Sequence, residues 1–325
     1  MTPIIKFGFF TDLHARNDTP QQRVDNFRDS ILIKLHEIGE IFEKENVDYV
    51  LFGGDLGHTP DPSYTLLNAL LKELKSWNKP IIGVVGSHDY FGYQKKTLDR
   101  TLLGTMRAAG ILELVDTVEC PYFIIPCEAF TGVVITGTTH SYDIVDHPER
   151  INQGYVKEDA LLQIQLVHCD LFHKEVPWRH ILIDDIATRS DLVLSGHIHS
   201  GWDKPIKINN TTFFNPGSIA RLEKSKLQRI PRVLIIEVYD KKLFAIKDIP
   251  LQSALLNPFK EDDIKESFEE ATPQDITKLL EFIEATDIEI TDIKKLLSEF
   301  SKKENYSNTV LETAFELLEK AKLKS

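Results

Sequence analysis

The sequence predicts an α/β fold followed by a distinct helical tail, and three patterns carry the prediction. Over the first hundred residues short apolar runs alternate with amphipathic helical stretches, the order that parallel strands joined by helical crossovers require. Through the middle, further short apolar runs follow one another with turn residues between them, which reads as more sheet. From about Leu251 the strand signal stops, and Glu261 to Ser325 contains no Gly and a single Pro. The chain is therefore read as a domain over residues 1–250 and an acidic helical tail over residues 251–325.

Ile4 to Phe10 is mostly apolar and reads as a buried strand. Thr19-Pro20 pairs an N-cap residue with a first-turn proline, so a helix is expected to start there, with Val24, Phe27, Ile31, Ile38 and Phe42 on its core face. Tyr49 to Phe52 is a second strand, ending at Gly53-Gly54-Asp55. A helix carrying Leu66, Leu70 and Leu74 on one side follows, then a third strand, Ile81 to Val85, ending at Gly86-Ser87-His88-Asp89. Val133 to Thr136, Leu162 to Val167, Leu192 to Ser195 and Thr211 to Phe214 are the middle strands, the last opened by an Asn209-Asn210 turn. Val233 to Val238 and Leu243 to Ile246 flank Asp240-Lys241-Lys242 and read as a hairpin. In the tail, helices are expected from Thr272-Pro273, over Asp292 to Phe300, and over Asn308 to Leu323.

With 325 residues and 42% hydrophobic content, the chain can bury one large domain with an appendage, or two domains. Its net charge of −12 does not suit indiscriminate binding to nucleic acid or to anionic membranes, although local patches and bound cations can override the total. Residues 261–325 hold 9 Lys and Arg against 17 Asp and Glu, so the tail carries most of that charge. No stretch approaches the roughly 18 apolar residues of a membrane span. The three cysteines, Cys120, Cys127 and Cys169, have no paired spacing. That argues against a disulfide framework and a zinc finger, and suits a reducing, cytoplasmic compartment. The N-terminal run meets Asp12 without a basic start or small-residue cleavage site, and is read as a strand rather than a signal peptide.

Five segments place metal-type ligands directly after apolar strands: Asp12-Leu13-His14, Gly54-Asp55, Ser87-His88-Asp89, His168, and His197-Ile198-His199. Ligands at strand ends converge on one rim of a sheet. Within Asp12/His14 and His197/His199, alternate residues of an extended segment share a face, which would present each pair together. Carboxylates with imidazoles suit Mn, Fe or Zn. A shared carboxylate, Asp55, can bridge two ions roughly 3.5–4 Å apart and so clamp both oxygens of an in-line phosphoryl displacement.

The order D-x-H, G-D, G-N-H-D, H, G-H-x-H resembles the signature of the calcineurin-like metallophosphoesterases, over about residues 1–250. The resemblance implies a double β-sheet sandwich flanked by helices and two divalent metal ions. Asp12, His14, Asp55 and His199 would hold one ion; Asp55, Ser87, His168 and His197 would surround the other. His88 would approach the phosphate as a general acid or charge stabiliser, oriented by Asp89. One position departs: Ser87 stands where the family has Asn. A Ser hydroxyl is shorter and a weaker donor than an Asn carbonyl. The second ion is then held loosely, through water or only with substrate, or else Ser87 is a tolerated ligand with little effect.

Narrower features resemble the nuclease subunit of SbcCD-type complexes. Gly53-Gly54-Asp55-Leu56-Gly57-His58 places His58 three residues after the bridging Asp, near the phosphate in that branch, and Asn215-Pro216-Gly217-Ser218-Ile219-Ala220-Arg221 resembles its P-G-S-x-x-R segment, with Ser218 and Arg221 as phosphate contacts. The resemblance implies a manganese-dependent DNA nuclease that works with an SMC-like ATPase gripped by the C-terminal helices. A separate DNA-capping domain is short or missing. Arg221, Lys224, Lys226, Arg229 and Arg232, with one acid, Glu223, form a basic stretch suited to phosphate backbone or to a solvated loop, as do Lys95, Lys96 and Arg100. His36, His140, His147, His173 and His180 are read as surface or structural residues, and Cys169 as a packed thiol. The tail's leucines pack on the domain, on a second copy or on a partner. Two other readings stay open: a phosphodiesterase for small nucleotides or phosphoesters, and a degenerate, non-catalytic scaffold.

Overall fold

Alternation of side chains across the strands sorts the apolar residues into two cores. In the first strand Phe7 and Phe9 face one core, while Phe10 faces the other. Gly8 is required beside Phe10: a Cβ there would lie 2.5 Å from the Phe42 ring, so the bare backbone lets the first helix approach.

The computed structural model describes residues 1–116, 120–127, 130–152, 159–222, 229–255 and 257–259. In chain order they form β1 (Ile5–Phe10), α1 (Phe27–Lys44), β2 (Tyr49–Phe52), α2 (Tyr64–Ser76), β3 (Ile81–Gly83), α3 (Leu102–Ala108), β4 (Glu113–Leu114), β5 (Tyr122–Cys127), β6 (Phe130–Thr138), α4 (Glu149–Asn152), β7 (Leu162–His168), β8 (Leu171–Phe172), β9 (Ile181–Leu182), β10 (Leu192–Gly196), β11 (Ile206–Ile208), β12 (Thr211–Phe214), β13 (Arg232–Asp240) and β14 (Leu243–Pro250). Two six-stranded sheets result, in the orders β14-β13-β1-β2-β3-β4 and β11-β12-β10-β7-β6-β5, with β8 and β9 paired apart. The core between the sheets joins Phe7, Phe9 and Leu51 to Val133, Ile135, Leu166 and Leu194. The outer core joins Phe10, Val50 and Ile235 to Phe27, Ile31, Leu35 and Phe42 of α1 and to Leu66, Leu70 and Leu74 of α2. This is the expected double-sheet sandwich with flanking helices.

The start of α1 differs from the sequence expectation. Asn26 caps the helix, its Oδ1 accepting the Asp29 N–H at 3.2 Å. Thr19 lies seven residues earlier, and its hydroxyl accepts the Phe27 N–H at 3.2 Å from across a turn. Val24 therefore precedes the helix and is 63% exposed instead of joining the core. The hairpin β13–β14 forms as expected, and its turn places Lys242 at φ +59°.

Strands β1, β2 and β3 run parallel, as do β6, β7, β10 and β12. Parallel strands end on a common side, and the chain leaves β1, β2, β3, β6, β7 and β10 at Thr11, Gly53, Val84, Thr139, Cys169 and His197. Residues up to Phe259 belong to one compact unit, in which Leu251, Ala254 and Phe259 are buried. The expected tail helices fall within Lys260–Ser325, outside the described residues. Among the described residues no helix is long and apolar enough to cross a membrane.

Candidate metal centre

The ligand-type residues leave their strands in left-handed turns. Asp12 (φ +54°), His14 (φ +46°), Asp55 (φ +59°) and His197 (φ +76°) all adopt positive φ, a region non-glycine residues occupy uncommonly and at a cost of about 1–3 kcal/mol each. The expected extended segments are therefore absent, and turns fixed by backbone bonds present the side chains. The N–H groups of Asp12 and His14 donate to Gly54 O and Asp55 O, both at 3.0 Å, which locks the two loops together. The Asp12 carboxylate is held by the Thr11 hydroxyl at 2.7 Å and by the His197 N–H, at 3.1 Å to each oxygen.

Among the described residues three groups could hold an ion: Asp12/His14/His199 and Asp55/His168/His197, where the ligands expected from the sequence fall, and His14/His58/His88, each with ligand atoms within 4.8 Å of one another. In the first, His14 Nε2 lies 2.8 Å from His199 Nε2, 3.7 Å from Asp12 Oδ1 and 3.6 Å from Asp55 Oδ2. In the second, His168 Nε2 lies 3.2 Å from the same Asp55 Oδ2. Asp55 thus stands between the clusters, as a bridging carboxylate must. Gly86 is obligatory beside it, since a Cβ there would fall 2.1 Å from Asp55 Oδ1.

The donor set fits divalent cations. His168 Nδ1 is 2.7 Å from Gly53 O, which can only accept, so Nδ1 carries the proton and Nε2 offers a lone pair. That buried Nε2 has no hydrogen-bond partner, and it faces a carboxylate oxygen that is itself an acceptor. A cation between them satisfies both. Without one, burial opposes charge on His168, but Asp55 overrides it and raises the imidazole to about 10. Burial likewise opposes charge on Asp55, yet the His168, His14 and His88 imidazoles hold its carboxyl well below the usual range. Ser87 is placed beside this carboxylate: its hydroxyl donates to Asp55 Oδ2 at 3.2 Å.

Three further imidazole rings surround the clusters. His88 stands 4.7 Å from the His14 ring and stacks 5.1 Å from His58. Its Nδ1 donates to His58 O at 2.7 Å, leaving Nε2 as an acceptor. Burial lowers its pKa, so it is neutral at pH 7. Asp89 does not orient His88. Its oxygens accept backbone N–H groups of Gly86 (2.8 Å), Asp55 (2.9 Å) and Leu56 (3.1 Å), so it holds the Asp55 loop instead. Burial and the Asp55 charge raise Asp89 to about 6.

The third ring is His140, which the sequence marks only as a surface or structural residue and the fold brings to the centre. It leaves the end of β6, is buried, and its ring lies 5.2 Å from His197 and 6.1 Å from His168. Burial and these two neighbours lower it to about 3. Its position after a parallel strand, shared with the candidate ligands, is the signal in the sequence that could have found it. Asp170, two residues after His168, also reaches His197 Nε2 at 3.4 Å.

The expected phosphate contacts Ser218 and Arg221 are both buried. Ser218 Oγ donates to Ala220 O at 2.5 Å, and the Arg221 guanidinium donates to Ala254 O, so these side chains brace the loop rather than face solvent. Burial lowers the Arg229 guanidinium to about 10, against the opposing pull of the Asp12 carboxylate. The same guanidinium bonds Ser218 Oγ at 3.0 Å. Arg232 pairs with Asp248 at 3.0 Å, Lys95 with Asp116 at 3.5 Å, and Arg100 lies over the Phe91 ring. Lys224 and Lys226 lie outside the described residues. His36 and His147 are exposed as expected, His173 and His180 meet Trp202 and Phe172, and Cys169 is a buried thiol.

The profile of the calcineurin-like phosphoesterases matches residues 5–201. No curated protein matches significantly. Among solved structures, an archaeal phosphodiesterase is 17% identical, covering 75% of this chain and 100% of its own (TM-score 0.39). A dimetal phosphatase from Danio rerio is 12% identical, with 77% and 100% covered (TM-score 0.49). The SoxB sulfate thiohydrolase of Thermus thermophilus is 14% identical, with 82% of this chain and 60% of that chain covered (TM-score 0.47).

Proposed function

The chain belongs to the calcineurin-like phosphoesterase family, and from that premise we propose that it is a two-metal phosphodiesterase acting on DNA, a nuclease subunit working with an SMC-like ATPase. The observation that carries the hydrolytic reading is Asp55 shared between the Asp12/His14/His199 and Asp55/His168/His197 clusters. Asp12, His14, Asp55 and His199 would hold one ion, and Asp55, His168 and His197 the other, with manganese the proposed metal. When bound, the ions supply Lewis acidity and a more acidic attacking water.

The chain's own groups do the rest. Thr11, the His197 N–H and Asp89 fix the carboxylates before substrate arrives. His88, neutral with Nε2 as acceptor, would take the proton released by the attacking water, while the leaving oxygen, on the opposite side of phosphorus, would be protonated from solvent. His58, stacked on His88 and supplying the carbonyl that fixes its tautomer, sets the ring's direction.

The His58–His88 pair, which matches the resemblance to nuclease subunits, favours a nuclease. The acidic, leucine-bearing sequence of residues 260–325 suits docking on a basic protein surface. The test incubates the full chain with Mn²⁺, single- and double-stranded DNA and a generic phosphodiester, with and without an SMC-like ATPase. Metal-dependent DNA cleavage is expected. Hydrolysis of the small diester alone would replace DNA with a small substrate, and no hydrolysis by metal-loaded protein would leave a binding scaffold.

A further inference from the structure

Five aromatic rings run from the metal centre to the surface in near-equal steps. His168 and His197 lie 5.1 Å apart, His197 and His140 5.2 Å, His140 and Tyr93 5.4 Å, and Tyr93 and Tyr142 6.4 Å. The inner rings are imidazoles, buried or half-buried; Tyr93 is 50% and Tyr142 54% exposed. The two tyrosines arrive from different sheets, Tyr93 on the loop that leaves β3 through Ser87-His88-Asp89, Tyr142 on the loop that leaves β6 through His140.

The backbone at Tyr93 is unusual. Gly92 (φ +55°) and Tyr93 (φ +56°) are both left-handed, and for a bulky side chain that region is a genuine outlier. Tyr93 keeps this backbone while half exposed. Strained residues of this kind cluster at ligand sites. Tyr93 stands beside His140, whose ring lies 5.2 Å from His197 of the second cluster.

We propose that Tyr93 and Tyr142, backed by His140, form a stacking shelf for the nucleobase adjacent to the reacting phosphate, so that the substrate class is nucleoside phosphodiesters. Every base has a π face, so such a shelf selects for a base without reading its identity. The inference rests on the phosphodiesterase reading, which places the phosphate between the two clusters.

The test compares Mn²⁺-loaded full chain with Tyr93→Ala, Tyr142→Ala and Tyr93→Phe. Calorimetry measures affinity for thymidine 5′-monophosphate and for methyl phosphate, which lacks a base. In the wild type the nucleotide should bind more tightly. Each alanine variant should lower the nucleotide-to-methyl-phosphate affinity ratio about 5- to 100-fold, and Tyr93→Phe should restore it, since the ring is kept. An unchanged ratio in both alanine variants, or no preference for the nucleotide in the wild type, would overturn the shelf. Turnover of thymidine 5′-p-nitrophenyl phosphate, measured separately, tests the hydrolase reading. A wild type that shows the base preference but no turnover keeps the shelf and loses the enzyme.

Discussion

His168 Nε2 points at Asp55 Oδ2 from 3.2 Å, with both side chains closed to solvent and the imidazole proton already committed to Gly53 O. Two buried acceptors facing one another are stable only if a cation or an extra proton lies between them. Asp55→Ala removes the oxygen common to both clusters. Metal content and hydrolysis should both collapse, as read by elemental analysis and a diester assay on the same preparation. A variant that keeps two tightly bound ions and full activity would remove Asp55 from the centre.

His88→Ala should separate binding from chemistry. The side chain touches neither Asp55 nor His168 through a ligand-type bond, and its Nδ1 is held by His58 O. Metal content should be unchanged while kcat falls roughly 10²–10⁴-fold, the usual contribution of a positioned acid–base group. A wild-type rate would exclude His88 from the reaction.

Ser87→Asn should tighten the second ion. The Ser hydroxyl donates to Asp55 Oδ2, spending its proton on the bridging oxygen, whereas an Asn carbonyl adds a neutral oxygen ligand. Calorimetric titration with Mn²⁺ decides, and equal or weaker affinity would show that position 87 does not face the ion.

Acid should destabilise the chelated protein partly through His140. Burial lowers its folded pKa from the ordinary 6.5 to about 3, so between those values the unfolded chain binds a proton that the folded chain does not. Stability is full above pH 6.5 and falls as pH drops toward 3. His140→Gln removes that difference, so its melting temperature should decline less steeply with acid than the wild type's. Parallel declines in a thermal scan from about pH 7 to about pH 4 would refute this assignment.

The residues of the two candidate clusters are legible in the sequence because each follows an apolar strand, and strand order is written in hydrophobic patterning. Phe27, Ile31, Leu66 and Leu70 follow for the same reason. The orientation of the ligands is not legible: Asp12, His14, Asp55 and His197 sit in left-handed turns set by bonds between loops far apart in sequence. Asp89 hides its role for a related cause, since its partners Asp55 and Leu56 lie on another loop, reached only once β2 and β3 pair. His140 carries only one faint mark, its place after a strand; the parallel pairing of β6 with β7 is what brings it beside His168. Thr19 loses the cap to Asn26 because both are good capping residues and the intervening turn decides.

The most direct test of two-metal phosphodiester hydrolysis is a titration of diester cleavage against Mn²⁺ added to fully chelated protein. Activity should be absent without metal and should rise to saturation at two equivalents per chain. Cleavage that survives chelation, or that stays absent at every metal concentration, would contradict the account.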